Sequence, residues 1–195
     1  TQISPIPDKE GFAAPFAGVS QGSLIVAGGA NFPEKKPWEG GTKVWHQTIF
    51  ALDRPAGRWR EVGKLPRPLG YGVSASHRNK VICAGGSDAV EHFSDCFTLE
   101  LADGKIKLEV LPSLPFPMAN GCGALVGDVL YLAGGQQKPD STTALRRVLA
   151  LDLSNPAGGW KEMPSLPGPG RILAAAAACE GAFWVIGGAE LSPSP

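Results

Sequence analysis

Short apolar runs that each end in a pair of glycines recur four times along the chain. The runs are SLIVAGG, KVICAGG, VLYLAGG and AFWVIGG, and they close at Gly29, Gly86, Gly135 and Gly188. A stretch of small residues precedes each run, and the first three are followed by a second apolar run and a segment ending in Leu-Pro. Short apolar runs bounded by Gly and Pro are typical of β-strands, so each complete unit predicts four of them.

This repeat of about 50 residues resembles the kelch repeat of β-propellers. A single four-stranded sheet has two apolar faces that it cannot bury alone, and stacking such sheets around an axis buries both. We therefore predict an all-β fold of the kelch-type β-propeller class. Three complete blades are expected at about residues 12–66, 70–115 and 120–167, with half a blade at 171–190. The chain, residues 1–195, is expected to be a single and incomplete propeller domain of about three and a half blades.

Composition excludes several classes of partner. The 195 residues carry 18 basic and 18 acidic side chains, so no global field attracts nucleic acid or anionic lipid. No apolar run approaches the length of about 20 residues that a membrane-spanning helix needs. We expect neither a nucleic-acid nor a membrane partner.

The four cysteines, Cys83, Cys96, Cys122 and Cys179, show no metal-binding spacing. Three of them lie in apolar, strand-like runs, which favours buried free thiols. Cys83 and Cys96 could pair if adjacent strands bring them together. His77 and His92 lack a metal-ligand spacing and are interpreted as surface or turn residues. Neither a cofactor nor a metal is expected.

Strand direction alternates within a blade, so the loop that leaves strand two and the loop that enters strand one share a face. On this face we expect small polar ligands to bind, because a rigid scaffold positions its loops. The longest such loop is GGANFPEKKPWEGGTKVW, residues 28–45. The same topology brings other polar residues to this face, among them Tyr71, Asp88, Asn120 and Gln136. The candidate substrate-binding residues are Asn31, Arg67, Arg171 and Glu190.

Each candidate also has a structural interpretation. Asn31 could cap a turn, and Arg67 could bond between blades. Glu39 and Lys43 could form a solvated salt pair. Trp38 and Trp45 are more often packing anchors than ligand platforms.

The stretch GFAAPFAGVSQGSLIVAGGANFP, then PWEGGTKVWHQTIFALD, then GYGVSASHRNKVICAGG resembles the N-acetylneuraminate epimerase (sialic acid mutarotase) family, and more narrowly its cyclically permuted branch. A blade that is late in the ordinary family order comes first here. The resemblance implies a six-bladed propeller that interconverts the α and β anomers of N-acetylneuraminate by general acid/base ring opening. It also implies a periplasmic or otherwise extracytoplasmic location.

The family's catalytic base is a Glu in a segment like GE.KPG.RT. The nearest echo, GGQQKPDSTTALRR, has Gln136 and Gln137 where that Glu is needed. The catalytic residue is therefore unknown, and this chain alone is expected to be inactive. Arg171 matches a family Arg, whereas Arg67 matches only after a shift of two residues. The alternative function is a non-catalytic kelch module that binds a protein or a glycan through the same face.

Overall fold

The computed structural model describes residues 2–192. Its strands and two short 3₁₀ helices follow, in chain order. They are β1 Phe16–Ser20, β2 Ser23–Ala27, β3 Ala30–Asn31, the 3₁₀ helix Pro37–Glu39, β4 Val44–Trp45, β5 Thr48–Leu52, β6 Arg60–Lys64, β7 Val73–His77, β8 Lys80–Ala84, β9 Cys96–Ala102, β10 Lys105–Leu111, β11 Ala119–Val126, β12 Val129–Gln136, β13 Val148–Asp152, the 3₁₀ helix Pro156–Gly158, β14 Lys161–Met163, β15 Ala175–Cys179 and β16 Ala182–Ile186.

These strands form three four-stranded antiparallel sheets and one two-stranded sheet. The sheet orders are β1-β2-β5-β6, β7-β8-β9-β10, β11-β12-β13-β14 and β15-β16. The first strands of the sheets contact one another in turn, β1 with β7, β7 with β11 and β11 with β15. The sheets are thus successive blades around a common axis, which confirms the predicted β-propeller fold class. A fifth, two-residue ladder, β3-β4, stands on the loop that leaves β2.

Small residues in the first strands let the blades approach near the axis. A Cβ atom on Gly18 of β1 would lie 2.9 Å from Ser76 Oγ and from a methyl carbon of Val81 in the next blade. Serine hydroxyls also link these strands. The amides of Ala17 and Val19 donate to Ser74 Oγ and Ser76 Oγ at 2.9 and 2.8 Å. The small-residue stretches of the sequence are therefore a packing requirement.

The first three Gly-Gly pairs are joints between one blade and the next. In the second blade, Gly85 has φ +65°, and a Cβ there would overlap the carbonyl oxygen of Met118. The N–H of Gly86, at φ +116°, donates to that same carbonyl at 2.8 Å. Only glycine adopts these angles freely and leaves room for the carbonyl. The equivalent bonds run from Gly29 to Leu69 at 2.8 Å and from Gly135 to Arg171 at 2.9 Å.

The apolar core lies between blades, in three clusters. Phe16, Ile25 and Leu99 belong to the cluster between blades one and two, and all three are fully buried. Leu132 and Leu149 belong to the second cluster, between blades two and three. The third cluster packs the third blade against β15 and β16. Each blade therefore depends on its neighbour to exclude water from its faces.

All four cysteines are free, and three of them, Cys83, Cys96 and Cys122, are buried. Cys83 and Cys96 lie on the adjacent strands β8 and β9 but belong to different interblade clusters, on opposite faces of the sheet. Their side chains therefore point apart and do not pair. Burial raises the pKa of Cys96 to about 12 and that of Cys122 to about 11.

Within residues 2–192, no helix is long and apolar enough to cross a membrane. The same residues hold no group of three His, Cys, Asp or Glu side chains placed to bind a metal ion.

Thiol labelling tests the buried core. At about pH 8, near the ordinary thiol pKa, we expect a thiol reagent to modify Cys179 in the folded protein, because this cysteine is exposed. The other three thiols are buried and hold their protons more tightly, so they should react only after unfolding. Labelling is followed by intact mass. Rapid reaction of two or more thiols without denaturant would contradict the packing described.

Substitution at a Gly-Gly joint tests the blade contact. Gly85→Ala places a methyl group against the Met118 carbonyl at a left-handed φ. Gly127→Ala is the matched control, because Gly127 has φ +60° but no atom within 4 Å of the new methyl. The control should cost about 1–2 kcal/mol of unfolding free energy for the left-handed backbone alone. Gly85→Ala should cost about 1–3 kcal/mol more from overpacking, measured by urea unfolding. Equal losses would contradict the proposed role of the joint.

Candidate functional site

A cavity of about 220 Å³ opens on the face that carries the loops leaving the second strands and the segments entering the first strands. We name it the mouth cavity. Its polar lining comes from three blades and includes Lys43, Tyr71, Asp88, His92, Asn120 and Gln136. Four of these, Tyr71, Asp88, Asn120 and Gln136, lie at positions that strand topology predicted for this face. The cavity can hold a small polar molecule in contact with several blades at once.

A chain of backbone hydrogen bonds crosses the blades beside this cavity. The N–H of Tyr71 donates to the carbonyl of Ala14, that of Asn120 to Tyr71, and that of Leu173 to Asn120, each at 2.9 Å. All four residues have left-handed backbones, with φ between +48° and +62°. Left-handed non-glycine residues are strained and cluster at functional sites. Here the bonds hold Tyr71 and Asn120 against the cavity.

Lys43 is the cation of the mouth cavity. Its Nζ lies 4.0 Å from the ring centroid of Tyr71 and 4.8 Å from that of Trp45. The predicted salt pair with Glu39 is wrong, because Glu39 instead accepts the backbone N–H of Lys36 at 2.9 Å. No carboxylate among residues 2–192 lies within 4.0 Å of Lys43. Its charge is therefore available to an anionic ligand.

Trp45 adds a second donor beside Lys43. Its indole N–H is buried, and no acceptor within the described part of the chain lies in reach. Trp45 pairs with Ala30 in the β3-β4 ladder, so the long loop of residues 28–45 folds back and places both Lys43 and Trp45 at the mouth. Pro37, Gly40 and Gly41 mark a turn in this loop, but the local sequence does not show that the loop returns to the mouth.

His92 also lines the mouth cavity, and its exposed fraction is only 7%. Its interpretation as a surface residue is wrong, because the third blade covers it. His92 Nδ1 lies 3.1 Å from the carbonyl oxygen of Gln136 in that blade. Burial lowers the pKa of His92, which favours the neutral ring. His77 is held elsewhere, with Nε2 2.6 Å from Asp128 Oδ1.

Asn31 lies in β3 and is nearly buried, with an exposed fraction of 7%. Its Nδ2 donates to Gly11 O at 2.9 Å and to Asp8 Oδ1 at 3.1 Å. Its Oδ1 lies 2.8 Å from His46 Nε2. The amide is thus fully engaged in fixing the long loop to the start of the chain. A substrate-binding role for Asn31 stays a prediction.

Arg67 does not line the mouth cavity. Its guanidinium lies 3.4 Å from Asp95 Oδ2, and its Cζ lies 4.4 Å from the ring centroid of Phe93. Both partners belong to the loop between β8 and β9. Arg67 therefore joins the segment that enters the second blade to a loop of that same blade, and its assignment to substrate stays a prediction.

Arg171 and Glu190 lie at the fourth blade. The Arg171 backbone carbonyl accepts from Gly135, the position held by Leu69 and Met118 at the preceding joints. Its Nη1 donates to Gly187 O at 2.6 Å. Glu190 is exposed. The structure brings neither side chain into the mouth cavity, and their assignment to substrate stays a prediction.

The fold and the site define a class of protein: a β-propeller whose loop face carries a polar cavity with one unpaired cation in its described lining. Residues 3–108 match the family model described as N-acetylneuraminate epimerase. That match covers more than half of the chain, and the chain belongs to the N-acetylneuraminate epimerase family. The matched residues 3–108 include the mouth-cavity residues Lys43, Tyr71, Asp88 and His92.

Individual relatives give the same result. The N-acetylneuraminate epimerase of Salmonella arizonae is 37% identical over 122 residues, which are 56% of this chain and 31% of the relative. That of Yersinia pestis (strain Pestoides F) is 40% identical over 113 residues, 52% of this chain and 28% of the relative. The matched segments are thus less than a third of the length of these relatives. The predicted permutation of blade order stays a prediction.

A solved structure described as "Structure of YjhT" has the same fold. It superposes with a TM-score of 0.77 over 93% of this chain and 60% of that chain. Sequence identity is 13%, so the comparison shows the fold alone.

Substitution of Asn31 separates its structural role from the predicted substrate contact. Asn31→Ala should lower the free energy of unfolding by about 1–3 kcal/mol, because it leaves the partly buried Gly11 carbonyl and His46 without their partner. Asn155→Ala, at an exposed turn, is the control and should change it by less than about 0.5 kcal/mol. Unfolding in urea measures both. An unchanged stability of Asn31→Ala together with lost sugar binding would support the substrate contact instead.

Proposed function

We propose that the protein carrying this chain interconverts the α and β anomers of N-acetylneuraminate, and that the sugar binds at the mouth cavity. The observation that carries the proposal is the family match, because it spans the loops that supply four of the cavity's six polar residues named above. The polar lining and the single cation support the same conclusion. N-acetylneuraminate is a small sugar acid with one carboxylate and many hydroxyl groups.

The cavity offers a complementary group for each part of such a ligand. Lys43 can pair with the carboxylate, and its ammonium is already held in place by the faces of Tyr71 and Trp45. The Asn120 side chain can bond hydroxyl groups. The apolar edges of Tyr71 and Trp45 can cover the C–H face of the sugar ring.

Anomer exchange requires ring opening. A base must take the proton of the anomeric hydroxyl, and the ring oxygen must gain a proton as its bond to the anomeric carbon breaks. Gln136 cannot serve as this base, because an amide does not titrate. Its side-chain amide nitrogen, Nε2, also donates to Lys138 O at 2.9 Å. An extracytoplasmic location is part of the same proposal and rests on the family resemblance only.

A second candidate function is a binding module without catalysis. It is favoured by Trp38, which stands at the tip of the long loop with 81% of its surface exposed. An exposed Trp is typical of surfaces that bind proteins or glycans. This alternative predicts ligand binding without any change in the rate of anomer exchange.

The direct test is an NMR time course on the product of the complete coding sequence. A sialidase releases α-N-acetylneuraminate in the tube, and the α and β signals are followed with and without the protein. Faster approach to the equilibrium ratio is expected. A time course identical to buffer would remove the mutarotase proposal and leave the binding module.

Lys43→Met tests the carboxylate contact. Losing a charge-assisted bond should raise the substrate concentration for half-maximal acceleration by about tenfold or more. The rate at saturation should change less, since Lys43 binds the substrate in both its ring-closed and open forms. Lys105→Met, at an exposed position in the outer strand β10, is the control and should behave as wild type. If the two variants behave alike, Lys43 does not bind the substrate carboxylate.

A further inference from the structure

We infer that a second cavity beside the mouth cavity binds the sugar attached to the anomeric oxygen of a glycoside of N-acetylneuraminate, with Trp38 as its platform. The ligand class is thus a sialoside, in which the sugar acid is linked to a second, neutral sugar. This inference rests on the proposed function, because it uses the proposed contact between Lys43 and the sugar carboxylate. Three features carry it: the border that two cavities share, the chemistry of the second lining, and the turn that holds Trp38.

The second cavity adjoins the mouth cavity, and we name it the side cavity. It has a volume of about 310 Å³ and lies between the long loop and the segment that precedes β1. Lys43 and Tyr71 line both cavities. Because Lys43 Nζ lies over the Tyr71 ring, at 4.0 Å from its centroid, a carboxylate held by Lys43 stands at the border between the two spaces.

The chemistry of the sugar acid decides which of its groups can extend into the side cavity. In N-acetylneuraminate the carboxylate is attached to the anomeric carbon itself, whereas the N-acetyl group and the glycerol chain are attached across the ring. With the carboxylate at Lys43 and the ring in the mouth cavity, the anomeric oxygen is therefore the substituent nearest the border. A sugar linked to that oxygen can occupy the side cavity.

The lining of the side cavity offers apolar contact. Its aromatic and proline side chains are those of Phe32, Pro37 and Trp38. Apart from Lys43, its charged groups are Lys36 and Glu10, which form a salt bridge with each other. The Asn31 amide is already bonded to three partners. A hexose has a face made largely of C–H groups, which suits an aromatic surface, so the side cavity fits a neutral sugar better than a second charged one.

Trp38 is fixed through its backbone, while its side chain is open. It is the middle residue of the 3₁₀ helix Pro37–Glu39. The N–H groups of Glu39 and Gly41 both donate to the Lys36 carbonyl, each at 3.0 Å. Within the described residues, 81% of the Trp38 surface is exposed. An aromatic ring on a fixed turn binds a ligand with little loss of conformational entropy.

A glycoside bound in this way is a ligand and not a substrate. Ring opening must remove the proton of the anomeric hydroxyl, and in a glycoside that oxygen is bonded to a carbon of the second sugar instead. The glycoside therefore keeps its anomeric configuration. It should compete with free N-acetylneuraminate for Lys43 and the mouth cavity.

The test compares two ligands that differ in the group on the anomeric oxygen. They are the methyl α-glycoside of N-acetylneuraminate and 3′-sialyllactose, in which galactose is linked to that oxygen. Binding to the product of the complete coding sequence is measured by calorimetry, and saturation-transfer NMR shows which sugar rings contact the protein. The wild-type protein should bind 3′-sialyllactose about three- to tenfold more tightly, because galactose adds a contact with an aromatic ring. Saturation should reach the galactose protons.

Four variants assign this gain to the side cavity. Trp38→Ala should reduce the affinity for 3′-sialyllactose to that for the methyl glycoside, whose own affinity should change by less than about twofold. Trp38→Phe keeps an aromatic ring and should retain most of the gain. Lys43→Met should weaken both ligands about tenfold, because both carry the carboxylate. Val90→Ala is the matched control and should bind as wild type, because Val90 is 78% exposed on another loop of the same face and lines neither cavity.

The outcomes separate this inference from the proposed function. A gain for 3′-sialyllactose that is lost in Trp38→Ala and kept in Trp38→Phe would establish the side cavity as the glycoside site. Equal affinities of the two ligands for the wild-type protein, or a gain that survives in Trp38→Ala, would overturn it. Accelerated anomer exchange of the free sugar would leave the mutarotase proposal standing in that case. A Trp38-dependent gain without any acceleration would support the side cavity and remove the mutarotase proposal.

Discussion

The structure depends on one contact, repeated at each joint: a glycine pair of one blade against a backbone carbonyl of the next. The first glycine of the pair leaves room for the carbonyl oxygen, and the N–H of the second donates to it. This places a buried backbone bond where two apolar faces close together, so neither group is left unpaired. Because both glycines have left-handed backbones, no other residue type meets both demands without strain.

The same joints set the geometry of the mouth cavity. The carbonyls that they hold belong to Leu69 and Met118, each two residues before a mouth-cavity residue, Tyr71 or Asn120. With the carbonyl fixed, the left-handed residues that follow it bond to one another across the blades. The packing of the blades thus fixes where the polar side chains of the mouth cavity stand. The loop residues can differ in chemistry without disturbing this packing.

The site was only partly predictable. Tyr71, Asp88, Asn120 and Gln136 were placed on the correct face because strand direction alternates within a blade. The packing of Lys43 on Tyr71 and the burial of His92 were not predicted, because they depend on contacts with distant parts of the chain. Lys43 stands over the ring of Tyr71, and His92 is covered by the third blade, 44 residues away. Arg67 was a candidate from its residue type, but it is occupied by Asp95 and Phe93.

The sequence by itself determined the number of repeats, the all-β class, the glycine joints and the family. These follow from local patterns: the period of the apolar runs, the small residues before them, and motifs that stand in one stretch of chain. Only the tertiary structure decided which polar groups share a cavity and which are already bonded. It placed Cys83 and Cys96 on opposite faces, committed the Asn31 amide to three partners, and left the Lys43 ammonium with no carboxylate partner among the described residues. The physical reason is that hydrogen bonding and burial depend on neighbours that the fold supplies from other blades, and no local pattern records them.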